Sequence, residues 1–373
     1  MLEAFTDALG LCHLHRVRGV CRALHEAARE AEDRWRLLFP CPPLHSTQAE
    51  AIQQALLVGH SMPFPPRMPL SAVGFGIAHY LTALADGCAV AVPAGTQLVF
   101  VSPYPAAIVD RMDLSMPLQG APVEQGNPRV RGVAAVRSGP GHGDILLADQ
   151  RRRHVSGRGH ALARLRTSLA PYAPRSMFST TSPLSLIDSS VSAPGPDLDF
   201  PSGLAFRRGR IYVSDVFHHR VVVYDAFFNF VMFFGAFGTA PGLLFTPYGL
   251  DVCDDGWVYV CDNGNDRISV HSADHGGFRE TFRGGQGHLA LTQPRDCAVV
   301  HRGSRHWPID RLVVTEMTRV QVLRLDTGDP LQILAVPGAQ CLWGVALLCP
   351  RLLEDQIVIV DSESATLHFF MLG

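Results

Sequence analysis

Short apolar strands that end on an acidic or hydroxyl residue recur about every 45 residues, and they predict a mainly β chain. The predicted architecture is a six-bladed β-propeller preceded by a small α-helical module. Two observations carry the propeller. The strands read LVFVS to Ser102, ILLAD to Asp149, IYVSD to Asp215, VYVCD to Asp262, LVVTE to Glu316 and IVIVD to Asp361. Their spacings are 47, 66, 47, 54 and 45 residues, with visible insertions in the two long ones. Two copies are also close repeats of each other: IYVSDVFHHR from Ile211 to Arg220, and VYVCDNGNDR from Val258 to Arg267. The helical module rests on apolar residues at three-to-four spacing near the N-terminus.

Taken in chain order, residues 1–45 form the expected helical module. Leu2, Phe5 and Leu9 share one face, and Leu11, Leu14, Val17, Val20, Cys21 and Leu24 continue the stripe. Trp35 to Phe39 follow an acidic turn, and Pro40 and Pro42 close the segment. Residues 46–69 read as a linker with one short helix over 47–57. Residues 70–373 form the propeller, with an Arg-rich insertion near 151–196.

The fourth unit shows the strand logic. Gly249 to Cys253 is the inner strand and Asp254-Asp255-Gly256 a tight turn. Trp257 to Cys261 is the second strand, Asn263-Gly264-Asn265 the next turn, and Arg267 to His271 the third strand; the Asp-Gly and Asn-Gly pairs supply the residues that tolerate positive φ in such turns. The second strands are continuous apolar runs, as expected of sheets packed on both faces. In the third unit Val221 to Tyr224 and Phe227 to Phe234 supply strands three and four. Only one strand follows Asp361, so another segment must complete the last blade. Residues 70–80 are expected to pair with the C-terminal strand; the alternative places residues 76–80 in blade one.

The order Pro-x-Gly-apolar, then Tyr-Val-x-Asp, then Asn/His-x-Arg-apolar resembles the NHL repeat. Residues 200–282 carry it best; the fifth and sixth units lose the Arg or the Pro-x-Gly, and the first two are degenerate. At the other end, the spacing of Leu14, Val20-Cys21-Arg22, Leu24-His25 and Asp33-Arg34-Trp35-Arg36-Leu37-Leu38 resembles an F-box. The usual Leu-Pro-x-Glu opening is missing, and Leu24 stands where a Trp is common. That resemblance implies docking on the Skp-type adaptor of a cullin ubiquitin ligase through Phe5, Leu14, Val17, Val20, Cys21, Leu24 and Trp35.

Composition narrows the function classes. A formal net charge of −2 gives no global attraction for nucleic acid or anionic membrane. No run approaches the ~18 apolar residues of a membrane span, and a charged N-terminus without a signal pattern points to a cytoplasmic protein, with the nucleus left open. The nine cysteines form no metal-type C-x-x-C pair; Cys253, Cys261 and Cys297 fall on predicted buried strands and read as reduced. All 32 basic residues are arginine. Genome composition is the plain explanation; the sharper one, which depends on the N-terminal motif, is that a chain working beside ubiquitin transfer gains by lacking acceptor lysines.

Three groups are candidates for chemistry. Asp215 with Arg220 and Asp262 with Arg267 read as ion pairs within a blade. His218, His219, His271, His275, His301 and His306 have no repeated phase and no ligand spacing, so no metal and no cofactor is expected. Arg151, Arg152 and Arg153 follow the second strand of blade two, on the face expected to carry Phe217, His218, His219, Asn263 and Asn265. These readings give a non-enzymatic protein-interaction module whose propeller loops hold a protein target. The alternative is a scaffold or single-stranded RNA binder, since NHL propellers that bind RNA use this face. A third is a metal-dependent lyase or hydrolase in the central channel.

Overall fold

The computed structural model describes residues 68–69, 78–84, 90–94, 97–103, 106–114, 130–136, 143–150, 161–166, 185–188, 196–300, 310–336, 338–348 and 356–371. The helical module expected over residues 1–45, the linker helix over 47–57 and the insertion at 301–308 lie outside the described residues. Within them the chain is mainly β and folds as a six-bladed propeller of four-stranded antiparallel sheets.

Blade one holds β2 (Thr82–Ala83), β3 (Val90–Ala94), β4 (Gln97–Pro103) and β5 (Ala106–Asp113). Blade two holds β6 (Val130–Ala135), β7 (Ile145–Asp149), β8 (Ala161–Arg166) and β9 (Ser185–Asp188). Blade three runs β10 (Pro201–Arg207), β11 (Arg210–Asp215), β12 (Arg220–Asp225) and β13 (Phe230–Phe234). Blade four runs β14 (Pro247–Val252), β15 (Trp257–Asp262), β16 (Arg267–Ser272) and β17 (Phe278–Phe282). Blade five is β18 (Asp296–Val300), β19 (Arg311–Thr315), β20 (Arg319–Arg324) and β21 (Pro330–Ala335). Blade six is β22 (Leu342–Leu348), β23 (Gln356–Asp361) and β24 (Thr366–Met371), closed by β1 (Met68–Pro69). The first strand of each blade lines the centre, and neighbouring first strands pack side by side.

Burial explains why the second strands are so apolar. β11, β15 and β23 are buried at nearly every position, because their alternating side chains enter the cores on both sides of a blade. Tyr212 lies in the core between blades three and four with Val258 and Val260. Ile211 and Val213 face the opposite way, into the core shared with blade two. Cys253, Cys261 and Cys297 are free thiols buried between blades four and five, as their positions on apolar strands predicted.

The ring closes with two residues. Met68 pairs with Leu367 and Pro69 with Thr366, so the closing strand lies just upstream of the predicted 70–80. The end of that stretch belongs to blade one instead. Ala78 bridges Ala94, and the His79 carbonyl accepts the Gly344 N–H at 2.7 Å. Those contacts fix residues 78–80 at the channel, where they cannot serve an outer edge.

Two local expectations also shift. The fourth strand of blade three starts at Phe230, not Phe227, because Asp225 turns the chain first. Its Oδ1 accepts the N–H groups of Phe227 (2.8 Å) and Asn229 (2.9 Å), and Phe228 adopts φ 65°. In the turn after β15 the left-handed residue is Asp266 at φ 52°, not Gly264. Gly264 is small for a different reason. Its N–H bonds the Phe245 carbonyl at 2.9 Å, and a Cβ there would lie 2.5 Å from the Phe245 ring. Among the described residues no helix is long and apolar enough to cross a membrane.

Candidate functional site

The repeated acid fixes one face of the ring. Pro201 pairs with Asp215, and Val221 with Phe234, so one end of the blade gathers three features. These are the start of the first strand, the turn between strands two and three, and the arrival from the previous blade. We call this the top face. In each of four blades the acid ending the second strand accepts backbone N–H groups of the arriving segment. Asp215 takes Asp199 N–H (2.6 Å), Asp262 takes Phe245 N–H (2.7 Å), Glu316 takes Thr292 N–H, and Asp361 takes Gln340 and Cys341 N–H (2.9 and 3.0 Å). The arginine that follows secures the same segment through its carbonyls. Arg267 pairs with Asp262 at 2.7 Å and donates to Thr239, Ala240 and Leu243. Arg220 pairs with Asp215 at 2.8 Å and donates to Asp197. The predicted ion pairs exist, and they hold the blade-to-blade connections in place. In blade five Arg319, only three residues after Glu316, does the same work for His288 and Ala290.

These rigid connections present aromatic side chains. Phe217 is 45% exposed and packs on Phe200 at 4.8 Å between centroids. His219 takes the left-handed position of its turn and meets Phe237 (5.0 Å) and Phe245 (5.6 Å), which touch each other at 5.4 Å. Its Nδ1 accepts the Thr246 N–H at 3.1 Å, leaving the proton on Nε2. Burial, then neighbouring His218, lowers its pKa, so it sits in the patch as a neutral ring. Phe237 is 67% exposed and Met317, on the blade-five turn, 48%.

The other predicted residues have other tasks. His218 lies against Asp215 at 2.9 Å. Asn263 donates to the Pro294 carbonyl at 3.1 Å, and Asn265 to Gly238 (3.0 Å) and Asp262 (2.8 Å). Both asparagine amides therefore support connections to neighbouring blades. Arg151, Arg152 and Arg153, like His301 and His306, lie outside the described residues, as do Phe5, Leu14, Val17, Val20, Cys21, Leu24 and Trp35. The flanking strands β7 and β8 do turn over on the top face, with Asp149 opposite Ala161. His271 is buried between Ser269 Oγ (2.9 Å) and the Gly276 carbonyl (3.1 Å), and His275 Nδ1 accepts the Gly277 N–H. Among the described residues no three His, Cys, Asp or Glu side chains come together as a metal-ligand set.

The mouth of the central channel carries residues that no sequence motif singled out. Inner strands approach so closely that a Cβ on Gly203 would lie 2.3 Å from the Tyr248 carbonyl oxygen, and one on Gly249 2.1 Å from Asp296 Oδ1. That approach explains the glycine of Pro-x-Gly. The x residue beside it faces the mouth, where Trp343 collects its neighbours. His79 lies 4.8 Å and Tyr248 5.3 Å from its ring, with Arg131 at 4.7 Å and Arg295 at 4.4 Å. Below them Ser202 Oγ donates to Tyr80 Oη across the ring at 3.1 Å. Burial, then Arg131 and Arg295, lowers the His79 pKa to about 3, so this imidazole is neutral at pH 7. Arg131 also covers Phe200 at 4.9 Å. Trp343, Arg131, Phe200 and Phe217 thus form a continuous path from the mouth to the rim.

Comparison with known proteins bears on this architecture. The family model described as NHL repeat matches residues 198–224. That span is β10, β11 and β12 with the turn bearing Asp215, His218 and Arg220. No curated protein sequence matches the chain. Among solved structures, 1027 chains match, so the architecture alone selects no chemistry. One is a luciferin-regenerating enzyme, 11% identical, with TM-score 0.56 over 83% of this chain and 96% of that one. Another is a nidogen/laminin complex, 15% identical, with TM-score 0.46 over 73% of this chain and 85% of that one. At 11% identity the likeness to the luciferin-regenerating enzyme is one of fold.

Proposed function

We propose that the chain is a non-enzymatic recognition scaffold that captures a segment of a target protein on its top face. The observation that supports this reading is the aromatic belt. Phe217, Phe237, Phe245 and Met317 are exposed on loops held by buried ion pairs, and Phe217 continues through Phe200 to Arg131 and Trp343 of the channel mouth. Aromatic and arginine side chains on a rigid frame supply large contact area with little ordering entropy, which is the character of interface hot spots. The test is panning of the full chain against a displayed random-peptide library. Selected peptides are expected to lose at least tenfold in affinity against Phe237→Asp and Phe217→Asp with the melting temperature retained. Selection of no peptide, or indifference to both substitutions, overturns the reading.

The N-terminal sequence extends it. The F-box resemblance of Leu14, Val17, Val20, Cys21 and Leu24, with a chain that carries arginine in place of lysine throughout, supports a substrate receptor of a cullin-type ubiquitin ligase. Retention of the Skp-type adaptor by the full chain, and its loss from a chain without residues 1–45, is the expected result. Adaptor bound equally by both, or by neither, removes this extension.

A further inference from the structure

The channel mouth contains two guanidinium groups that no carboxylate among the described residues neutralises. Arg131 makes no hydrogen bond among the described residues, and its Nε is buried without a partner. Aromatic faces are its surroundings: Trp343 at 4.7 Å, Phe200 at 4.9 Å and Tyr248 at 5.9 Å. Arg295, on the neighbouring inner strand's approach, lies over the same indole at 4.4 Å, and its Nη1 donates only to Cys341 Sγ, at 2.9 Å. Aromatic stacking satisfies the flat face of a guanidinium and leaves the in-plane N–H donors unused. Burying such donors unpaired is unfavourable.

The acid next to Arg295 in the chain, Asp296, is engaged elsewhere. Its oxygens accept the N–H of Val345 (3.0 Å), which joins blade five to blade six, and the N–H of its chain neighbour Cys297 (2.9 Å). Burial pushes its pKa well up, which favours the neutral acid. Neither arginine forms a salt bridge to a carboxylate among the described residues. By contrast Arg220, Arg267 and Arg319 each have an acid at their side. Among the described residues the frame arginines are paired with acids and the mouth arginines are not.

We propose that the channel mouth is a socket for one carboxylate of a protein segment, held by Arg131 and Arg295 at the edge of Trp343. The carboxylate comes from an Asp or Glu side chain or from a chain terminus, and flanking residues of the segment lie along Phe200, Phe217 and Phe237. This inference rests on the reading of the top face as a protein-recognition surface. The rim favours a single carboxylate over a nucleic-acid backbone. Exposed Asp197, Asp266 and Glu363 stand on the same face, and a strand bearing one phosphate per nucleotide would pass these like charges.

The test uses the full chain and the peptides selected by panning. Glu→Gln and Asp→Gln versions of each peptide, with capped and free C-termini, locate the required carboxylate, and octauridylate serves as the phosphate probe. Loss of one carboxylate is expected to weaken binding at least tenfold. The same change should alter affinity less than twofold against Arg131→Gln or Arg295→Gln, both retaining the wild-type melting temperature or exceeding it. A purely structural role for these arginines predicts lowered melting temperatures and an unchanged carboxylate preference, which overturns the socket. Octauridylate that binds more tightly than the peptides, through the same arginines, also overturns it in favour of nucleic acid. Peptides that depend on Phe237 yet ignore the carboxylate refute the socket and leave the recognition surface standing. Selection of no peptide refutes both.

Discussion

Replacing Arg267 by leucine tests how the top face is held. The Arg267 side chain is 3% exposed, its partner Asp262 is fully buried, and four hydrogen bonds leave its guanidinium. Leucine fills part of the volume but strands a buried carboxylate and three carbonyls. Removing one member of such a pair costs about 3–5 kcal/mol. Asp262 keeps its bonds from Phe245 N–H and Asn265, so we expect about 4 kcal/mol, within a total stability on the order of 10 kcal/mol. At roughly 2–4 °C per kcal/mol for a domain of this size, the melting temperature should fall by on the order of 10 °C. The matched Arg220→Leu change removes a 16%-exposed group and should cost about half as much. Urea unfolding supplies both numbers, and hydrogen exchange should show the largest loss of protection over residues 235–246. The double change Asp262→Leu/Arg267→Leu should be less harmful than the sum of the single ones. A loss below about 1 kcal/mol for Arg267→Leu, or equal losses for the two arginines, would refute the claim that this pair secures the connection.

Three further outcomes follow from the same geometry. Gly249→Ala would place its Cβ 2.1 Å from Asp296 Oδ1 and 2.7 Å from the Arg295 carbonyl of the next blade; thermal melting should show a loss of about 3 kcal/mol, against about 1 kcal/mol for open, left-handed Gly209→Ala. Burial lowers His271 from 6.5 to about 4, so the folded state resists its protonation. The stability from its neutral form is complete above pH 6.5 and is lost as pH falls toward 4, at about 1.4 kcal/mol per unit. Urea midpoints measured from pH 7 to 4.5 should decline less steeply in His271→Gln. Burial raises the Cys253 thiol to about 11 and pushes up Cys261, while the hydrogen bond with Cys261, then burial, pushes up Cys297. Peptide mapping should find these three unalkylated in the native protein and labelled once it is denatured.

The sequence displayed the frame better than the site because the two obey different rules. Asp215, Asp262, Glu316 and Asp361 all accept backbone N–H groups of the arriving segment, and the first three hold an arginine as well, a double task that suits a carboxylate, so acids recur at a readable spacing. The glycines of Pro-x-Gly recur for a similar reason, the close approach of neighbouring inner strands. The mouth-facing position has no such uniformity. His79, Arg131, Ser202, Tyr248, Arg295 and Trp343 differ in size, charge and polarity, and they meet only after six segments close into a ring. A signal was present all the same: they occupy the variable place inside the most regular triplet. Arg295 was obscured further because Asp296 replaces the glycine there. The role of Arg319 was hidden by its spacing of three, and that of Asn263 and Asn265 by partners about thirty residues away.

The two-residue pairing of β1 with β24 gives this ring an order of assembly. Every interface from blade one through blade five can form as the chain is made, but Met68 and Pro69 wait for Thr366 and Leu367. Until then blade six lacks its outermost strand, and blade one faces water where β22 will pack. The ring therefore behaves as a clasp whose catch is the last of its own strands to be made. A break near the C-terminal strand would shed no single blade; it would release the circle and, with it, the alignment of the six side chains at its centre.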